Sequence, residues 1–182
     1  MIDSNPAGVT QVARLYTDIA LLRRGPEDVP VSAVLLALTV LAYMLLSLLL
    51  SALMPAVEED QIALIALDSF LSVAWYWVVL RLAGRPERFL QTATAVFGYQ
   101  TIVAPAFVGA TWLFLHYMKD ATWQLPVSLL LLALAVWTLA VNGRILRSAT
   151  GWPQVTCVAL VVMEAIISRV IALGLFPGTG AP

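Results

Sequence analysis

The 182-residue chain contains one cysteine, Cys157, one histidine, His116, and one lysine, Lys119, and only 12% of it is charged. A single cysteine leaves no disulfide framework and no cysteine metal site within one chain. A lone histidine closes the usual zinc motifs as well, so neither a metal nor a cofactor is expected. There is no Gly-rich phosphate loop, no nucleophile elbow and no carboxylate pair beside a base, and no loop is long enough to form a soluble catalytic domain. An enzyme is therefore not expected, and neither is a nucleic-acid partner. Residues 1–30 also lack the short apolar core and small-residue cleavage site of a signal peptide.

What the chain has instead is apolar length. Its 61% hydrophobic content exceeds the roughly 45–50% of soluble domains, which carry about twice its share of charge. An all-α integral membrane protein follows, because a bilayer-spanning helix needs about 20 predominantly apolar residues. Five segments qualify: 31–53, 61–82, 94–115, 125–141 and 155–176. Pro30 and Pro55 bracket the first. Asn142-Gly143 reads as the C-terminal stop of the fourth, and Pro177-Gly178 ends the fifth. Pro105, near the middle of the third, predicts a kink, with two half-helices as the alternative. The organisation is a segment 1–30, a five-helix membrane bundle over 31–177, and a short tail 178–182.

The connections alternate in charge. Arg14, Arg23, Arg24, Arg81, Arg85, Arg88, Arg144 and Arg147 fall on one side, whereas Lys119 alone falls on the other, together with Glu58, Glu59 and Asp60. Basic residues mark the cytoplasmic side, which predicts a cytoplasmic N-terminus and an outer C-terminus, most consistent with a bacterial inner membrane. Trp112, Tyr117 and Trp123 gather at the outer boundary, and Trp75, Tyr76, Trp77, Trp137 and Trp152 at the inner one. Arg81, Arg85, Arg88, Arg144 and Arg147 form a basic rim. It sets topology and, beyond that, could meet anionic lipid headgroups or an acidic partner. Before the first span, Val12, Leu15, Tyr16, Ile19 and Leu22 share one face of a helix. That pattern predicts an amphipathic helix lying at the interface, or else packed on the bundle.

Charges inside spans are costly and normally paired or functional. Asp68 lies in the second span, and Glu164 and Arg169 lie in the fifth; Asn142 adds a polar amide. Glu164 and Arg169 stand about 140° apart around their helix, too far around to pair. Asp68 and Arg169 each sit seven residues from the outer end of their span, on the order of 10 Å deep. An interhelical salt bridge between them is expected, with Ser69 and Ser72 adding hydrogen bonds. Its alternatives are a transport role, or an Arg169 that snorkels to the surface. Glu164 reads as a satisfied structural acid, with a proton-handling site as the alternative.

Residues 82–107, LAGRPERFLQTATAVFGYQTIVAPAF, place a basic Gly-containing loop before an aromatic, a Gln-Thr step and Phe-Gly-Tyr entering a span that holds a proline. This order resembles the second loop and third span of the Yip membrane family, whose eukaryotic members interact with Rab proteins. RRGPEDVPVS before the first span is similar to bacterial members. The resemblance carries over to Gly98, Tyr99 and Pro105, and it implies five spans and a non-enzymatic membrane role. The expectation is thus a scaffold, adaptor or membrane-organising protein acting through self-association, membrane lipids or a membrane partner. The alternative is a small transporter or channel subunit using Asp68, Glu164 and Arg169.

Overall fold

The computed structural model describes residues 6–52, 60–120 and 122–176, with side chains from Thr10 onward. The expected boundary at Leu53, the flanking Pro55, Glu58 and Glu59, and the stop and tail from Pro177 lie outside the described residues. The chain is an all-α bundle, with six α-helices among the described residues: α1 (Pro6–Ala20), α2 (Ala33–Ser51), α3 (Gln61–Leu82), α4 (Phe89–Tyr117), α5 (Gln124–Thr150) and α6 (Gln154–Leu175). The last five are long and apolar enough to cross a membrane. Their exposed faces are lined with Leu, Val, Ile, Phe and Trp, as apolar surroundings require.

α4 is the centre of the bundle, packing against α1, α2, α3 and α5, while α6 closes on α3 and α5. Pro105 leaves α4 one continuous helix, so the half-helix alternative is not realised. The fourth span corrects a sequence expectation. Asn142 and Gly143 do not stop it; α5 continues to Thr150 and ends on Gly151, whose φ of 76° is the left-handed turn glycine permits. Asn142 stays helical because Tyr76 donates a hydrogen bond to its Oδ1 at 3.3 Å. Gly143 is there for closeness, since a Cβ at that position would lie 2.6 Å from Val158 Cγ2 on α6.

The expected amphipathic helix forms as α1, and its apolar face packs on the bundle. Tyr16, Ile19 and Ala20 are buried, with Val12, Leu15 and Leu22 against the same core. The ring of Tyr16 lies directly over Gly98, where any Cβ would come within 2.3 Å of it. Thr39 gives its own proton to the Leu35 carbonyl at 2.7 Å. Tyr16 must therefore be the donor in the 3.2 Å bond between the two hydroxyls. Burial raises the Tyr16 pKa above that of a free phenol, against a smaller opposing effect of the Thr39 bond. Trp137 Nε1 donates to the Ala20 carbonyl at 2.8 Å, capping the end of α1. Gln91 ties the following turn down through the Val29 carbonyl at 3.0 Å.

Candidate functional site

Polar side chains from all five long helices meet in the middle of the bundle. Ser72 on α3 donates to Glu164 Oε1 on α6 at 2.5 Å. Tyr76, one turn further along α3, reaches Asn142 on α5. Glu164 also lies within electrostatic reach of Tyr43 on α2, Tyr76 on α3 and Tyr99 on α4. Asp68 stands one turn before Ser72 and faces the Tyr43 hydroxyl. An antiparallel α3–α6 seam explains the register: Asp68 comes level with Arg169, and Ser72 with Glu164.

Asp68 and Arg169, the expected salt-bridge partners, arrive at the same level. They line a cleft of about 380 Å³ between α3 and α6, together with Gln61, Leu64, Ser168 and Ala172. The Asp68 carboxyl also faces the Tyr43 hydroxyl across the bundle. A separate ion pair joins Arg24 to Asp18, at 3.5 Å at the end of α1. Below the cleft the seam continues as a groove of about 230 Å³ that reaches Glu164, with Trp75, Val78 and Ile167 on its walls. Ser168 lines both. Glu164 is therefore hydrogen-bonded on one side and open to a groove on another.

The basic rim divides into two groups. Arg88 donates to the Ser148 carbonyl at 2.8 Å and Arg85 to that of Ala149 at 3.5 Å, so both cap the last turn of α5. Arg81 lies 4.9 Å from the centre of the Trp77 ring, a cation–π contact. Arg144 and Arg147 open onto a groove of about 500 Å³, shared with Leu22, Ser148 and Gln154. They do so from α5 itself and not from a loop. At the opposite end Trp112, His116, Tyr117 and Trp123 form a chain of ring contacts, with centroids 4.8–5.7 Å apart.

Two site residues were not singled out by sequence reasoning. Tyr43 sits in an uncharged, mostly apolar span, where its one signal is a helical face shared with Ser47. Tyr76 reads as a boundary aromatic, yet it is 1% exposed and bonded to Asn142. Of the residues singled out by the family resemblance, Gly98 seats Tyr16 and Tyr99 is buried in the polar cluster, while Pro105 is exposed. Among the described residues, no three His, Cys, Asp or Glu side chains gather closely enough to hold a metal ion. No protein-family model, curated protein or solved structure matches the chain.

Proposed function

We propose that the chain is a small transporter or channel subunit of a membrane, with the α3–α6 seam as its polar route. The observation that carries this reading is that Asp68 and Arg169 line an open cleft, continued by a groove that reaches Glu164. Cavities bordered by convergent polar groups are where small ligands bind. The basic rim and the opposed aromatic chain support an orientation with α1 on the cytoplasmic side of a bacterial inner membrane. Arg144 and Arg147 then face anionic headgroups there.

The second reading, favoured by the likeness of residues 82–107 to the Yip family, is a non-enzymatic scaffold acting through self-association or a membrane partner. Water access to the seam separates the two. Single cysteines at Asp68, Ser168 and, as a lipid-facing control, Val170 are introduced into a Cys157→Ser background. The variants are reconstituted and exposed to a charged methanethiosulfonate reagent. A transporter seam labels at 68 and 168 at least tenfold faster than at 170. Equal, slow labelling at all three positions returns the reading to the scaffold.

A further inference from the structure

A second cavity, of about 410 Å³, runs between α2, α4 and α5 on the other side of Gln61, which lines both it and the Asp68 cleft. Its wall follows α4 from Tyr99 past Val103 and Phe107 to Thr111, roughly 18 Å of helix. Tyr43 and Tyr99 mark the deep end, and Ser51 and Gln61 the mouth. The volume falls within the range of small-molecule sites, about 300–1,000 Å³.

Two observations define what it would hold. Tyr99 is 1% exposed, and among the described residues its hydroxyl makes no close hydrogen bond, Gln100 and Asn142 standing only at weaker, longer range. Buried hydroxyls are nearly always paired, and an unmet one destabilises the fold until an acceptor is supplied. Moreover, among the described residues no charged side chain lines the cavity, and its longer walls are apolar. An ion or an anionic headgroup would be stranded there. A bare acyl chain would fill the length but leave Tyr99 unmet.

We infer that this cavity is a binding site for a neutral, largely apolar molecule carrying a carbonyl-type oxygen, which accepts a hydrogen bond from Tyr99 while its body lies against Val103 and Phe107. The site uses none of the charged seam residues, so it stands or falls separately from the transport reading.

The test uses the full chain in phosphatidylcholine nanodiscs, with 4-propylbenzophenone as the probe. This neutral ketone cross-links on illumination, and the attachment sites are mapped by peptide mass spectrometry. Saturable attachment within residues 43–51 and 99–111 is expected. Tyr99→Phe should raise the half-saturating concentration about five- to tenfold, the effect of one hydrogen bond, while leaving the unfolding temperature unchanged or higher. Diphenylmethane, which has the same shape without the oxygen, should compete at least fivefold more weakly than benzophenone. Non-saturable labelling spread over lipid-facing residues, or identical saturation in Tyr99→Phe, would overturn the assignment.

Discussion

At the α1 end of the bundle, every residue of α4 from Thr92 to Tyr99 is buried; beyond Gln100 the same helix buries only Ala110. α5 shows the same division, with Val141, Asn142, Gly143, Ile145, Leu146, Ala149 and Thr150 buried at the α1 end and Val127 alone near its start. One end is sealed by α1, its following turn and two arginine caps. At the other, clefts run to Asp68 and Tyr99. The polar cluster lies at the border between the two. Burial is thus concentrated on one side of the polar cluster, while clefts reach it from the other.

The sharpest way to break this comparison is to place the same substitution on both halves of α4. A side chain at Gly98 collides with the Tyr16 ring, whereas a Cβ at Gly109 meets nothing within 4 Å. Overpacking a tight contact costs about 1–3 kcal/mol, and Gly98→Leu should fall at the upper end because the obstacle is an aromatic ring pinned by Thr39. Gly109→Leu should be neutral or stabilising by up to about 1 kcal/mol, since leucine is the better helix former. Thermal unfolding in detergent measures both, and proteolysis between α1 and α2 should accelerate in Gly98→Leu alone. Equal effects at the two glycines would remove the distinction between a sealed and an open half.

A smaller difference is expected between two serines. Ser72 donates across the seam to Glu164, whereas Ser128 donates only to the Gln124 carbonyl of its own helix. Ser72→Ala removes an interhelical bond and leaves a carboxyl oxygen short of a partner, which should cost about 1–2 kcal/mol. Ser128→Ala should stay within about 0.5 kcal/mol. If Ser72→Ala is as silent as Ser128→Ala in thermal unfolding, the polar cluster does not hold α3 to α6.

How much of this was legible beforehand depends on the range of the interaction. The spans could be read because apolar length is a local property, and α3 begins at Gln61 and ends at Leu82 as expected. The end of α5 could not, because Asn142 continues the helix on account of Tyr76, 66 residues away. The apolar face of α1 was visible, but lipid and protein accept such a face equally, and only the gap over Gly98 decides between them. Depth brought Asp68 to the cleft it shares with Arg169. It could not show the Tyr43 hydroxyl beside the carboxyl, since a tyrosine in an apolar span looks like packing.

The smallest expected effect tests the seal itself. Tyr16→Phe keeps the ring over Gly98 and removes only the bond donated to Thr39, worth about 1 kcal/mol. The pH dependence gives a cleaner reading than the stability change alone. Burial raises the Tyr16 pKa above the ordinary value of 10.0, so the docked state favours the neutral phenol. Its contribution is complete below pH 10, where the undocked phenol is also neutral. It is lost as pH rises through the higher docked value, because the undocked phenol ionises first. In the native chain the release of α1, followed by proteolysis in the turn after it, should therefore rise with pH from about 10 upward. Tyr16→Phe should start from a slightly higher release rate and lack that component. Identical pH profiles for the two chains would show that the Tyr16 hydroxyl does not hold the sealed end closed, and that the fit of its ring over Gly98 is sufficient.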